Sequence, residues 1–218
     1  MAEVDRVRTS ELIAALAADP VPEKIRLGPR FAAAAAIGLV GALALYALFV
    51  GPRPDIAEAV RTVRFNLKFL DAAALALPLM LLFVRLARPD ARPGALALWL
   101  LAPFLLLAAA VAVELAVIPR DQWLPRLVGQ NWMYCATMIP MMAAPILAAL
   151  IATMRLGAPQ HPTLTGAIAG AASASLAALL YASHCPDDSP LFVAAWYPFA
   201  TLICVGAGAL AGRRFLRW

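Results

Sequence analysis

Six apolar stretches, at 31–50, 69–87, 94–118, 132–154, 164–183 and 191–212, decide what this chain can fold into. Each approaches or exceeds the roughly 20 residues a helix needs to cross the hydrocarbon core of a bilayer. No water is present there to satisfy a backbone, so a span is either a helix or a strand of a closed barrel. Barrel strands alternate apolar and polar residues, and these stretches do not. The expected fold is therefore all-α, a six-transmembrane-helix bundle (30–218) preceded by a short N-terminal tail (1–29). Charged residues make up 14% of the 218, against about 25% in a soluble domain. The second stretch is the weakest, with about 16 clean apolar residues before Arg85. A polar start followed by a long first stretch points to a retained span and not to a cleaved signal peptide.

Lys and Arg set the expected orientation. With six spans both termini share one side, and that side carries 12 of the 18 basic residues. The positive-inside rule then makes both termini cytoplasmic. Loop 51–68 dissents, because Arg53, Arg61, Arg64 and Lys68 fall on the outer side. The net charge of +5 reads as topology and anionic-lipid contact. Direct nucleic-acid binding is not expected, since no basic cluster sits beside aromatic platforms.

Within the tail, Ser10 suits a helix N-cap, Glu11 suits the first turn, and Pro20 and Pro22 suit the end. Such a helix presents Leu12, Ile13 and Leu16 on one face. A helix this short is marginal alone and firms up against a partner; the plainer alternative is a flexible terminus. In loop 51–68, Ile56, Val60, Val63, Leu67 and Leu70 form an amphipathic stripe with Arg61, Arg64 and Lys68 elsewhere around the helix. It would lie at the outer interface or extend the second span. Gly166-x-x-x-Gly170 and Gly208-x-x-x-Gly212 predict close packing of spans five and six. Pro140 and Pro145 predict a kink in span four.

Chemistry is scarce. Glu114 and Asp71 are shallow carboxylates, which interfacial water would hydrate, and no ionisable group lies deep. The sequence offers no nucleophile triad or phosphate-binding glycine loop, so an enzyme is not expected; neither is a resident cofactor or metal centre. Three cysteines remain. Cys204 is deep in span six and reads as a small core residue. Cys135 begins span four, and Cys185 lies in the polar hinge His184-Cys185-Pro186-Asp187-Asp188-Ser189-Pro190. Both are expected to meet the oxidising periplasm. Three readings stay open: a structural disulfide or unrelated small residues, a redox pair, or a soft-metal site drawing on His184 and Asp187. The last is weakly signalled, with no C-x-x-C and no paired histidines.

The tail Ser10-Glu11-Leu12-Ile13-Ala14-Ala15-Leu16-Ala17-Ala18-Asp19, the six spans, the His-Cys-Pro hinge with the following Trp196-Tyr197, and the basic ending Gly212-Arg213-Arg214-Phe215-Leu216-Arg217-Trp218 resemble the NrsF-type membrane anti-sigma factors. The resemblance runs the length of the chain. It implies an inner-membrane protein that holds an extracytoplasmic-function sigma factor through its cytoplasmic tail, with Leu12, Ile13 and Leu16 as contacts. It also implies that Cys135 and Cys185 sense oxidants or heavy metals; His184 and Asp187, beside Cys185 in the hinge, are the residues expected to support them. The alternatives are a membrane thiol-disulfide oxidoreductase, which would want a reactive C-x-x-C, and a small transporter, which would want deep polar groups or an inverted repeat.

Overall fold

A computed structural model describes residues 8–18, 27–89, 91–92 and 94–217. Its elements, among the described residues, are helices joined by short turns. Helix α1 (Thr9–Ala18) belongs to the tail. It begins ahead of Ser10, and the side chain of Glu11 instead accepts the backbone N–H of Arg8 at 3.3 Å. That is the back-reaching half of a capping box. Pro20 and Pro22, together with the side chain of Leu16, lie outside the described residues.

Six helical stretches are long and apolar enough to cross a membrane. They are α2 (Leu27–Phe49), α4 (Val63–Arg85), the pair α5 (Leu96–Trp99) and α6 (Leu101–Val117), α8 (Trp132–Met154), α9 (Pro162–Ala182) and α10 (Pro190–Phe215). Two short helices, α3 (Ile56–Ala59) and α7 (Trp123–Val128), lie in the connections at one end of the bundle, called here the hinge end. The second span gains its length from loop 51–68: Thr62 caps α4 by accepting the N–H of Phe65 at 3.3 Å.

Packing centres on α8 and α9. Ile139, Met142, Ile146, Leu150 and Met154 of α8 are fully enclosed. The α9–α10 seam follows the glycine expectation. A Cβ on Gly166 or Gly170 would collide with the backbone of Gly208, Gly212 or Cys204, so only glycine permits the approach. Helix α8 runs unbroken through Pro140 and Pro145. Pro145 and Ile146 fill a notch left by Gly38 and Gly41 of α2.

Val63, Leu67 and Leu70 lie in α4, so the apolar stripe of loop 51–68 extends the second span, one of the two outcomes expected of it; Val60, Val63 and Leu70 are exposed, while Phe65 and Lys68 are buried. In a bilayer the apolar side of a helix meets lipid and the polar side turns to protein. The expectation for Glu114 reverses, because it is not hydrated at an interface. It is 3% exposed and, with Pro103, is one of the two buried residues of α6.

Candidate functional site

The hinge between α9 and α10 is where the chain's polar chemistry collects. Helix α9 ends at Ala182, and the N–H groups of His184 and Cys185 both turn back to the carbonyl of Tyr181, at 2.9 and 3.1 Å. Pro186 and Pro190 prevent the helix from continuing, and Pro190 opens α10 at a position that needs no N–H donor. The segment is thus folded over the bundle end, with its carbonyls and carboxylates turned toward neighbouring elements.

Asp188 lies between two cations. Lys68 Nζ is 2.5 Å from its Oδ1, and Arg53 Nη1 is 2.9 Å from its Oδ2. Lys68 also donates to the carbonyl of Cys185 at 2.8 Å, and Arg53 reaches the same oxygen at 3.4 Å. Arg53 further holds Asp55 through two bonds of 2.7 Å. Its hydrogen bonds to Asp55, and then to Asp188, push the Arg53 pKa up, while Arg53 pulls that of Asp55 down. Two cations and two carboxylates close to neutrality, which is what permits Lys68 to be only 2% exposed.

A second group centres on Glu114. Arg126 of α7 donates to Oε1 at 3.1 Å, Arg64 lies 3.4 Å from the same oxygen, and Ser189, at the N-cap of α10, donates to Oε2 at 2.9 Å. A third joins the hinge to α8. Asp187 Oδ2 accepts the backbone N–H groups of Gln130 and Asn131 and the Asn131 side-chain amide, at 3.1, 2.9 and 3.0 Å. Gly129 makes the turn before them at φ +61°, where a Cβ would also strike Asp187. Asn131 then accepts the N–H of Cys135 at 2.8 Å.

The two cysteines singled out by sequence are brought into one buried cluster, both as free thiols and both 0% exposed. The expectation that they meet the periplasm directly is therefore corrected, because the hinge closes over them. Asp187 links their surroundings: its carboxylate holds the residues just before Cys135, and its carbonyl lies 4.0 Å from Cys185 Sγ. Burial pushes the Cys185 thiol up to about 11, with the charge of Lys68 pulling the other way. His184 does not turn to the thiols; its Nδ1 pairs with the Gly51 carbonyl at 2.9 Å. Among the described residues no group of three or more His, Cys, Asp or Glu side chains could hold a metal ion. Leu12 and Ile13 of α1 are 51% and 61% exposed.

Sequence reasoning missed the pairing of Asp188 with Arg53 and Lys68 and that of Glu114 with Arg64 and Arg126. One signal was present. Loop 51–68 carries four cations, and the hinge carries two aspartates with no cation of its own. Opposite charges at one bundle end invite pairing.

Residues 16–218 match the family model described as "Negative regulator of sigma F". A protein of Azospira oryzae named "Probable anti-sigma-F factor NrsF" is 31% identical over 217 residues, covering 97% of this chain and 100% of that protein. The "Anti-sigma-F factor NrsF" of Caulobacter vibrioides is 34% identical over 223 residues, with the same coverage of both chains. No solved structure matches.

Proposed function

Because the chain belongs to the NrsF family of negative regulators of sigma F, we propose that it is an inner-membrane anti-sigma factor. Its cytoplasmic tail holds an extracytoplasmic-function sigma factor away from RNA polymerase. The observation that carries this reading is the likeness, along nearly the whole chain, to relatives named for that role. Exposed Leu12 and Ile13 on a short helix suit docking to a partner, and Leu16 shares their face by helical spacing. The cation count favours cytoplasmic termini. Three of the four dissenting cations, Arg53, Arg64 and Lys68, are engaged by carboxylates within the fold.

The input is Cys135 and Cys185 at the periplasmic end. An oxidant that takes two electrons and two protons from the thiols leaves a disulfide; a soft heavy metal displaces the protons and binds both sulfurs. Either reagent reaches the sulfurs only when the closed hinge opens, because both cysteines are fully buried. Movement of the hinge repacks α8 against the α9–α10 pair, and the tail end responds. The ligand must favour one of two arrangements for this coupling to exist.

The test is co-purification of the full-length protein with candidate sigma factors from the same cell, alongside a reporter of the sigma regulon. Retention that is lost in Leu12→Asp/Ile13→Asp is the expected result. Stress induction of the reporter is expected to be lost in Cys135→Ser and Cys185→Ser. A full-length protein that retains no sigma factor would turn the reading toward a thiol-disulfide oxidoreductase or a transporter.

A further inference from the structure

Between α4 and α6 an open groove of about 420 Å³ reaches the hinge end. Leu67 of α4 and Leu106, Val113 and Val117 of α6 make its walls apolar. From Val117 to Leu106 the α6 wall measures roughly 16 Å of helix, about half of a bilayer's hydrocarbon core and so the depth of one leaflet. Arg64 and Glu114 also line this groove, and both lie in the turn of their helix nearest the hinge end. Arg64 further lines a second hollow, of about 580 Å³, among the connections of that end. Arg126 of α7, Gln130, Asp187, Asp188 and Ser189 share that hollow with it. The two spaces therefore meet at one arginine, an apolar slot at span depth and a polar pocket at headgroup depth.

The charges around them differ in their commitments. Asp188 is taken by Lys68 and Arg53, and Asp187 Oδ2 by three N–H groups of Gln130 and Asn131. Glu114 instead serves two guanidiniums, Arg64 at 3.4 Å and Arg126 at 3.1 Å from the same oxygen. One carboxylate between two cations leaves a positive charge over. Sharing an oxygen also keeps the two guanidiniums near enough to grip a single phosphate. Neither is sealed, for their side chains are 46% and 33% exposed. Glu114 is the one ionic partner of Arg64 among the described residues, so most of its five N–H donors stay free. A planar guanidinium fork matches phosphate oxygens.

We propose that these two spaces hold one phospholipid of the leaflet at the hinge end. Its phosphate bridges Arg64 and Arg126, and one acyl chain lies in the α4–α6 groove. The lipid enters sideways from the bilayer, because α6 is the least enclosed of the spans. The site does not use the thiols and is independent of the sigma-factor reading.

The test is native mass spectrometry of the full-length protein in detergent, titrated with dioleoyl phosphatidylethanolamine. That lipid has no net charge, so general attraction to a protein of net charge +5 does not produce its binding. One saturable equivalent is expected. Dioleoylglycerol, with the chains but no phosphate, should bind about tenfold more weakly or worse, and so should glycerophosphoethanolamine, with the headgroup but no chains. Arg64→Gln should weaken lipid binding about fivefold, the size of one partly exposed ion pair. Arg61→Gln removes an exposed cation that lines neither space and should change nothing. Ala109→Phe fills the groove and should weaken binding as well. Equal binding of either half-ligand overturns the proposal, as do equal losses in Arg64→Gln and Arg61→Gln or full binding in Ala109→Phe. The three-ligand comparison on the unaltered protein decides even where a variant fails to fold.

Discussion

Lys68 and Asp188 form an ion pair of 2.5 Å between the second span and the hinge, with the lysine side chain almost wholly enclosed. The same ammonium group holds the Cys185 carbonyl. One cation therefore fixes both the charge balance and the backbone of the hinge that covers the thiols. Removing Asp188 strands Lys68 in the interior, whereas removing Lys68 leaves Asp188 to share Arg53 with Asp55.

Lys68→Met is expected to destabilise the protein by less than the about 3–5 kcal/mol of a buried pair broken from one side, because Arg53 stays beside Asp188. Adding Asp188→Leu should restore much of the loss, because the excess negative charge is gone. Thermal unfolding in detergent measures both. Maleimide labelling of Cys185 should be faster in the single variant than in the unaltered protein. Equal labelling would mean that the lysine does not hold the hinge shut.

The Cys185 thiol carries its own pH signature. Its pKa rises from 9.0 to about 11 through burial. A thiol protonated in the fold and ionised when unfolded stabilises the fold below the lower value, and that contribution is lost as pH climbs through the upper one. Stability should fall between about pH 9 and pH 11 by about 2–3 kcal/mol, following from a shift of two units. Cys185→Ala should remove this part of the alkaline slope. Alkylation at neutral pH should be slow, since the thiolate is the nucleophile.

Glu114→Gln keeps the size of the side chain but strips the charge that holds Arg126 and Arg64. Hydrogen bonds to charged groups contribute about 1.5–3 kcal/mol, and a loss in that range is expected. Proteolysis within the 118–131 connection should accelerate. Arg126→Ala should cost less, because Arg64 remains beside the carboxylate.

The α9–α10 seam separates packing from chemistry. Gly170→Val places a side chain against the Cys204 backbone and should prevent the two helices from docking. Gly206→Ala, on the same helix as Gly208, meets nothing within 4 Å and should be silent. Gel filtration and melting temperature distinguish the outcomes.

The spans were readable because their signal is local: α8 and α9 lie within two residues of the expected limits. Glycine spacing was also readable, since Gly166 and Gly208 report a close approach through their identity alone. The charge clusters were not. Lys68 occupies a helix whose apolar stripe faces outward, so its polar side looked solvated when it was interior. Glu114 looked shallow by its distance from Pro119, yet burial depends on Arg126 and Ser189, which are separated from it by 12 and 75 residues. The cysteines were legible as a pair at one end of the bundle. Their enclosure was not, because it comes from the fold of the hinge.

The clamp at the hinge also has a history during synthesis. Lys68 enters the bilayer 117 residues ahead of Cys185, whose carbonyl it will hold, and Asp188 follows three residues later. Throughout that interval the growing chain carries a lysine that awaits its proper counter-ion. Only when the hinge between the last two spans has been made can that lysine be paired, so the contact that ties the second span to the hinge is among the last the chain can form.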